Sequence, residues 1–197
     1  MSLLSMDYYA HPTAIIEDGA SIGKGSKVWH FCHIMSESHI GANCVIGQNV
    51  FIAPRVKLGS GCKVQNNVSL YTGVECEDEV FIGPSAVFTN VINPRASIER
   101  KEEFRPTLLK RGATIGANAT LVCGYSVGAY ALVGAGSVVC QEVPDYALVV
   151  GNPARHIGWV SRAGERLIFS EEGKAICPTT GEEYCLINGQ VRLISHP

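Results

Sequence analysis

The chain has 197 residues, of which 46% are hydrophobic and 17% charged, so it can bury a core. Its net charge of -2 gives no reason to expect binding to nucleic acid or to an anionic membrane surface. No apolar run approaches the ~20 residues of a membrane span, and residues 1–6 lack the features of a secretion signal. Met6 could be the natural start, with Met1–Ser5 an expression remnant. We therefore expect a cytoplasmic protein whose 8 cysteines are reduced thiols.

A repeat of six residues dominates the first half of the chain. The large apolar residues of this repeat are Ile16, Ile22, Val28, Ile34, Ile40, Ile46, Ile52, Leu58, Val64, Leu70, Cys76, Ile82 and Phe88. A period of six contains a period of two, so each unit is expected to be a short strand with alternating faces. Three units would form one triangular coil, which buries its apolar side only by stacking on the next coil. The repeat therefore predicts an all-β fold, a parallel β-helix.

Small or β-branched residues occupy the position two places before each large apolar residue, and both positions should point inward. The cysteines at these inward positions are interpreted as core residues; they are Cys32, Cys44, Cys62 and Cys76. Glycine often follows the large apolar residue, as Gly23 and Gly41 do. We expect these glycines to allow either a turn with positive φ or a crowded corner.

Uncharged polar side chains gather near the strand ends of the later repeats. The candidates for substrate binding among them are Gln65, Asn67, Tyr71, Thr89 and Asn90. Such donors and acceptors suit a hydroxylated or amide-bearing ligand, although asparagine is also favoured in turns for its backbone conformation. Function is favoured for Asn90, which directly precedes a segment without the repeat.

Two histidines, His30 and His33, lie in the segment VWHFCHI. A histidine base would suit acyl transfer, so both are candidates for contact with substrate, with plain surface polarity as the alternative. No Ser-x-Gly elbow or HExxH helix accompanies them, which argues against a hydrolase or a metalloprotease.

Residues 91–111 break the repeat and are predicted to form an inserted loop rich in charge and proline. Arg95 and Arg105 in this segment could bind a carboxylate of the substrate, and exposed solvated charge is the equal alternative. The repeat resumes with Ile115 and continues to Val139.

Cationic and small residues follow the loop. Lys110 and Arg155 would suit a cofactor that carries a 3′-phosphate and a pyrophosphate. The small pairs Gly116–Ala117 and Gly134–Ala135 would allow a cofactor to approach the backbone closely.

The end of the chain alternates turns with short apolar runs. We predict a β-helix domain over residues 11–160 and a β tail over 161–197, with a hairpin at Asn188-Gly189, that covers the open end of the helix. Cys177 and Cys185 are too far apart for a zinc knuckle and lack a second pair. They are interpreted as thiols of the hairpin, and no metal is expected.

The segments HPTAIIEDGASIGKGSKVWHFCHI, FTNVINPR, RPTLLKRGATIGANATLVCG and VGNPARHIGWVS resemble the acyltransferases built of hexapeptide repeats. Among these, they are most similar to the sugar N-acetyltransferases that act on nucleotide-linked 3-amino sugars. The resemblance covers about residues 10–165. It implies a left-handed β-helix, a homotrimer and acetyl-CoA as cosubstrate. The pantetheine arm would run between neighbouring coils, past the two Gly–Ala pairs.

The resemblance also implies roles for the substrate. The amino sugar would be UDP-2-acetamido-3-amino-2,3-dideoxy-glucuronic acid, acetylated on its 3-amino group for bacterial surface polysaccharide such as O-antigen. Asn90 would bind the sugar near the transferred acetyl group. Related 4-amino-sugar enzymes place a histidine base at this position, so the asparagine here makes a histidine base doubtful.

Two other functions remain open from the sequence. An O-acetyltransferase acting on a sugar or on serine would need a histidine base close to Asn90. A metal-binding or non-catalytic β-helix of the γ-carbonic-anhydrase type would need three histidines at neighbouring corners, and His30, His33 and His39 lie in consecutive repeats. Binding of CoA separates these classes, because the metal and scaffold functions predict none.

Overall fold

The structure is a computed structural model that describes residues 7–195. The possible start at Met6 and the possible remnant Met1–Ser5 lie outside the described residues. Short β-strands make up nearly all of the regular structure, and the described part of the chain has no helix long and apolar enough to span a membrane.

The strands are two to six residues long. Up to the loop they are β1 (Tyr9–Ala10), β2 (Ile15–Ile16), β3 (Ser21–Ile22), β4 (Lys27–Val28), β5 (His33–Ile34), β6 (His39–Ile40), β7 (Val45–Ile46), β8 (Phe51–Ile52), β9 (Lys57–Leu58), β10 (Lys63–Val64), β11 (Ser69–Leu70), β12 (Val74–Cys76), β13 (Phe81–Ile82) and β14 (Val87–Phe88). After the loop they are β15 (Thr107–Leu109), β16 (Thr114–Ile115), β17 (Thr120–Leu121), β18 (Leu132–Val133), β19 (Val138–Val139), β20 (Ala147–Val150), β21 (Arg155–Val160), β22 (Arg166–Leu167), β23 (Lys174–Ile176), β24 (Glu183–Ile187) and β25 (Gln190–Ser195). One 3-10 turn, Lys101–Glu103, lies within the loop.

Three parallel sheets form the sides of a prism. Sheet A runs β1-β4-β7-β10-β13-β16-β18-β20 and ends with antiparallel β21 and β22. Sheet B runs β2-β5-β8-β11-β14-β17-β19, and sheet C runs β3-β6-β9-β12-β15. Paired residues in the regular coils, such as Lys27 and Val45, are 18 positions apart, so three six-residue units make one coil. The prediction of a parallel β-helix of hexapeptide repeats is confirmed.

The core is a set of stacked columns inside the prism. The large apolar positions from Val28 to Phe88 are buried, and so are the small positions that precede them. Cys32, Cys44 and Cys62 occupy small positions and Cys76 a large one, and all four are 3% exposed or less. Burial raises the pKa of the Cys76 thiol well above its ordinary range, as expected for a core thiol.

Positive φ recurs every sixth residue from 19 to 85, three places after each large apolar residue. Glycine fills some of these positions, as Gly61 does, and asparagine or a larger residue fills others, as Asn67 and Phe31 do. The glycines that directly follow the apolar residue have another role. A Cβ on Gly23 would lie 2.5 Å from the Ala42 nitrogen of the next coil. Glycine is therefore required at these positions because the coils are crowded, which is the second of the two expected reasons.

The inserted loop ends earlier in the chain than the predicted residue 111. Phe81 pairs with Thr114 across the insertion, and strand β15 pairs with β12 as an ordinary member of sheet C. The loop therefore occupies residues 89–106, and residues 107–111 belong to the β-helix. The strand Thr107–Leu109 is in phase with the resumed repeat, since Leu109 lies six residues before Ile115. The start of that repeat was predicted one unit too late, at Ile115.

The tail forms a three-stranded antiparallel sheet, β23-β24-β25, in which Asn188 and Gly189 make the hairpin turn with φ of 50° and 71°. Its apolar side packs against Tyr146 and Trp159 at the last coil. Tyr184 is fully buried there, donates a hydrogen bond to Glu182 at 2.5 Å, and has its pKa raised by burial. The tail thus closes this end of the prism with its own small core.

Candidate functional site

The turns between sheets form three corners that run along the stack. We name them the A–B corner, which includes residues 47–49, the B–C corner, which includes 71–73, and the C–A corner, which includes 59–61. Residues that are 18 positions apart in the regular coils lie above one another on the same corner.

Seven of the site residues predicted from the sequence lie on the A–B corner. They are His30, Gln65, Asn67, Gly116, Ala117, Gly134 and Ala135. The substrate candidates lie in the earlier coils and the cofactor candidates in the later ones. One continuous edge of the prism therefore carries a polar half and a half made of small residues.

Backbone amides on the small-residue half are free to meet a ligand. On an earlier coil, the Gln48 amide donates to Asn66 Oδ1 at 2.9 Å. The equivalent amides of Ala117 and Ala135 have no acceptor among residues 7–195. Two unpaired N–H groups on neighbouring coils suit a ligand with amide carbonyls, because each exposed donor gains a partner on binding.

Packing between coils explains why Gly116 and Gly134 lack side chains. A Cβ on Gly116 would lie 2.5 Å from the Ala135 nitrogen, and one on Gly134 would lie 2.7 Å from Val150 Cγ1. The absence of these side chains is thus required by the stack, whether or not a ligand approaches.

Arg155 lies at the end of the same corner. It begins β21 and pairs with Val150, the residue that covers Gly134. Its side chain is exposed, and no carboxylate within residues 7–195 forms an ion pair with it. A cation at this point suits the phosphates of a ligand whose other end follows the corner.

The B–C corner carries a second group. Tyr71, Thr89 and Asn90 lie on it, and the loop emerges from it. Thr89 Oγ1 accepts a hydrogen bond from the Cys123 amide at 3.0 Å, so this hydroxyl holds two coils together. The Asn90 carbonyl accepts one from the Arg105 amide at 2.9 Å and closes the base of the loop.

The Asn90 carboxamide, in contrast, has no partner among the described residues and is half-buried at the mouth of the loop. Arg95 and Arg105 are exposed and have no ion pair within residues 7–195. Arg95 Nη1 donates only to the neighbouring Pro94 carbonyl, at 3.0 Å.

His33 lies on the outer face of sheet B, between the two corners. Its Nε2 lies 2.8 Å from Glu17 Oε1, and its ring contacts Phe51, which in turn contacts Tyr71. The Ser36 amide and then His33 lower the pKa of Glu17 by hydrogen bonding to its charged form. His33 is thus held by Glu17 at the first-coil end of the B–C corner, whereas Asn90 lies several coils further along the same corner.

Lys110 lies on the C–A corner, apart from the other cofactor candidates. Its Nζ is 3.3 Å from Asp145 Oδ1. Within one chain, the structure therefore does not bring Lys110 to Gly116 or Arg155.

The three histidines considered for a metal separate onto different surfaces. His30 stacks on His11 at the A–B corner with ring centroids 3.6 Å apart, His33 faces Glu17, and His39 hydrogen-bonds Ser21 at 2.7 Å on sheet C. No group of three potential metal ligands occurs anywhere in residues 7–195.

Sequence reasoning missed Trp29. With Gln48, Gln65 and Asn66 it lines a cavity of about 250 Å³ on the A–B corner. The signal was available, because Trp29, Gly47 and Gln65 are 18 positions apart and must stack once the coil length is known.

Family models match the repeats. The model described as bacterial transferase hexapeptide (six repeats) matches residues 13–48, and the hexapeptide repeat of succinyl-transferase matches residues 39–72 and 111–141.

Among known proteins, the chain is 42% identical over 191 residues to dTDP-3-amino-3,6-dideoxy-alpha-D-galactopyranose 3-N-acetyltransferase of Aneurinibacillus thermoaerophilus, and the match covers 97% of both chains. It is 28% identical over 183 residues to the bifunctional protein GlmU of Thermotoga sp. (strain RQ2), of which it spans 41%. Among solved structures, a mutant of AntD, an N-acyltransferase from Bacillus cereus, in complex with dTDP and coenzyme A, matches with a TM-score of 0.52. That match has 20% identity and covers 81% of this chain and 87% of the other, so it supports the fold.

Proposed function

Because the chain belongs to the sugar N-acetyltransferases built of hexapeptide repeats, we propose that it transfers an acetyl group from acetyl-CoA to an amino group of a nucleotide-linked amino sugar. The observation that carries this proposal is the 42% identity to a 3-N-acetyltransferase over 97% of both chains. That relative acts on a 3-amino sugar, which supports the 3-amino group as the acceptor here.

The small-residue half of the A–B corner is the proposed place of acetyl-CoA. The free amides of Ala117 and Ala135 would bind carbonyls of the pantetheine arm, and Arg155 would bind its phosphates. The corner fits this cosubstrate because it offers small side chains, unpaired donors and a terminal cation along one line.

The chemistry proposed for the amine needs no protein base. A neutral primary amine is already nucleophilic, and attack on the thioester forms the C–N bond and breaks the C–S bond. The released thiolate, whose thiol has a reference pKa of about 8.5, can take the proton from nitrogen. Asn90, with its free carboxamide at the mouth of the loop, would orient the amine. A backbone N–H at a corner would stabilise the oxyanion.

The alternative of O-acetyl transfer is less well supported. A hydroxyl nucleophile needs a base, and within residues 7–195 no histidine lies on the B–C corner beside Asn90. The nearest imidazole along sheet B, that of His33, is already bound to Glu17.

The finer proposal for the substrate is UDP-2-acetamido-3-amino-2,3-dideoxy-glucuronic acid, used for bacterial surface polysaccharide. This sugar carries a carboxylate, whereas a dideoxy sugar of the kind in the relative's name has none. Arg105 is a candidate to bind that carboxylate. Its backbone amide donates a hydrogen bond to the Asn90 carbonyl, and its side chain has no ion pair in the described chain. Arg95 in the same loop is the second candidate.

A homotrimer is proposed as the active form. The cofactor candidates and Asn90 lie on different corners of one chain, and a neighbouring copy could bring an A–B corner to a B–C corner. The outer face of sheet B supports this, because it exposes Ile15 at 60% and Val87 at 49% around half-buried Phe51. His33 and Ser69 lie in the same row, and exposed apolar groups among polar neighbours are typical of an interaction surface.

A thiol-release assay tests the proposed function. Wild-type protein and acetyl-CoA are supplied with UDP- and dTDP-linked 3-amino sugars, each with and without a carboxylate at carbon 6, and with the 3-hydroxy analogues. We expect release of CoA only with amino sugars, fastest for the UDP sugar with the carboxylate. Faster release with the 3-hydroxy analogues would contradict N-acetyl transfer, and preference for the dTDP sugar would contradict the finer substrate.

A further inference from the structure

The polar half of the A–B corner contains a cavity that the proposed transfer chemistry does not use. Its volume is about 250 Å³, and it is lined by Trp29, His30, Val45, Gly47, Gln48, Gln65 and Asn66. Binding sites for whole ligands are usually about 300–1,000 Å³, so this cavity suits one part of a ligand, such as a single heterocycle.

The shape of the cavity follows from the stacking of coils. Trp29, Gly47 and Gln65 occupy the same position on three successive coils. Gly47 has no side chain and is buried, so a slot opens between the indole ring on one side and the carboxamide on the other. A Cβ on Gly47 would lie 2.6 Å from Asn66 Oδ1, so glycine here also preserves the hydrogen bond from the Gln48 amide to that oxygen.

Aromatic rings form one wall of this slot. Trp29 is 38% exposed, and its ring is nearly parallel to that of His30, with an interplanar angle of 6°. Tyr9 supports the indole from the far side at 5.8 Å in an edge-to-face contact. A fixed, exposed aromatic face is the feature on which nucleic acid bases stack in many proteins.

Carboxamides form the other wall, and they are free. The side chains of Gln48 and Gln65 have no hydrogen-bond partner among residues 7–195. A carboxamide offers a donor and an acceptor in one plane. This pattern is complementary to the imide edge of uracil or thymine, where an N–H lies beside a carbonyl. Adenine offers a similar donor and acceptor to a carboxamide, so the small volume of the slot, which suits one ring, is what favours a pyrimidine over a purine. No charged side chain lines the slot to attract a phosphate instead.

We propose that this slot binds the pyrimidine base of the nucleotide-linked substrate, stacked on Trp29 and recognised through its imide edge by Gln65 and Gln48. This inference rests on the proposed function, since it names how the nucleotide of that substrate is held. It places the nucleotide on the early coils and the cosubstrate on the later coils of one corner, so that the sugar lies between them.

Fluorescence tests the subsite without any turnover. The chain has 2 tryptophans, so in a Trp159→Phe background the indole of Trp29 is the sole reporter. We expect UDP and dTDP to quench its emission saturably. ADP and inorganic pyrophosphate should bind at least ~10-fold more weakly, because a purine is too large for the slot and pyrophosphate has no base to stack. Equal quenching by ADP, or none by UDP, would overturn the proposal.

Variants make the test specific. Gln65→Leu should raise the dissociation constant for UDP by about 10-fold and the KM of the sugar nucleotide similarly, with KM for acetyl-CoA unchanged. Gln141→Leu, which removes an exposed glutamine elsewhere on the stack, is the matched control and should change neither value. Unaltered UDP binding in Gln65→Leu would refute the assigned contact.

The two proposals fail separately. Saturable UDP quenching without CoA release from any amino sugar would leave the base subsite in place and remove the proposed transfer. CoA release from amino sugars without UDP quenching would remove the subsite alone.

Discussion

At the scale of single residues, Asn90 combines a structural and a proposed catalytic role. Its backbone carbonyl closes the loop onto Arg105, while its side chain remains without a partner in the described chain. The sequence pointed to this residue because it lies where the repeat stops. Sequence alone did not show that Thr89, its neighbour, is committed to the Cys123 amide. Hydrogen bonds between coils depend on which residues stack, and that requires the register across the loop.

Asn90→Ala is expected to lower kcat/KM by ~10-fold or more, because the amine loses an orienting partner. His30→Asn and His33→Asn should leave kcat within roughly tenfold, below the usual loss for a general base. Steady-state kinetics by CoA release measures all three variants. A loss of about a thousandfold in either histidine variant, with acetyl-CoA affinity intact, would make that histidine the base and contradict the base-free mechanism.

Gly116→Ala is expected to destabilise the β-helix by ~1–3 kcal/mol, because the new Cβ would lie 2.5 Å from backbone atoms that cannot move independently. Gly136→Ala is the matched control. A Cβ there meets nothing within 4 Å, and only its φ of 68° opposes alanine, at a cost of about 1 kcal/mol. Denaturant unfolding measures both. Gly116 itself has no positive φ. A loss there no larger than that of the control would therefore mean that the neighbouring coil can make room for the Cβ and that stacking does not require glycine at position 116.

At the scale of elements, the corner on which a residue lies determines which other site residues it can meet within one chain. The structure brings the two Gly–Ala pairs and Arg155 to the A–B corner, but it separates them from Lys110, which the sequence had grouped with these cofactor candidates. That grouping followed chain order, since Lys110 and Gly116 are close in sequence. The prism separates them, because six residues carry the chain from one corner to the next. Residues 18 apart share a corner, whereas residues six apart do not.

Arg155→Ala should therefore weaken acetyl-CoA binding by about tenfold, as one charge-assisted hydrogen bond is lost. Lys110→Ala removes a cation of the C–A corner that is paired with Asp145 and should leave the affinity nearly unchanged. Calorimetric titration of CoA into each variant makes the comparison. Weaker binding in Lys110→Ala than in Arg155→Ala would place the cosubstrate on the other corner.

Glu17 accepts a hydrogen bond from the Ser36 amide and contacts His33, both on the next coil, and these contacts give stability a dependence on pH. The pKa of Glu17 is lowered from its ordinary 4.5, so its charged form stabilises the folded state above that pH. The contribution is lost as pH falls from 4.5 through the lower folded-state pKa. Glu17→Gln should thus have a lower Tm than wild type at pH 5–6, and the difference should vanish in more acidic buffer. A difference that persists or grows in acid would assign it to packing instead.

At the scale of the whole molecule, periodicity explains why so much of the fold was predictable. A strict six-residue period leaves only one way to bury every large apolar residue, so the sheets, the core and its cysteines follow directly from it. The tail lacks a period, and its sheet rested on turn residues such as Asn188 and Gly189. Contacts between copies have no trace in one chain's pattern, so a site shared between copies, as proposed here, cannot be located from that pattern.

The prediction that concerns the whole molecule is that the protein forms a trimer. Exposed Ile15 and Val87 lie on sheet B beside the edge that carries Asn90, and burying them between copies would remove apolar surface from water at ~25 cal/mol per Å². We expect sedimentation velocity to show a trimer at micromolar concentration. Val87→Glu should dissociate it and lower the rate of CoA release at the same time, since each site would draw residues from two copies. Lys63→Glu, a change of charge on the outer face of sheet A, is the control and should stay trimeric. Active wild-type monomers would contradict both the assembly and the shared site.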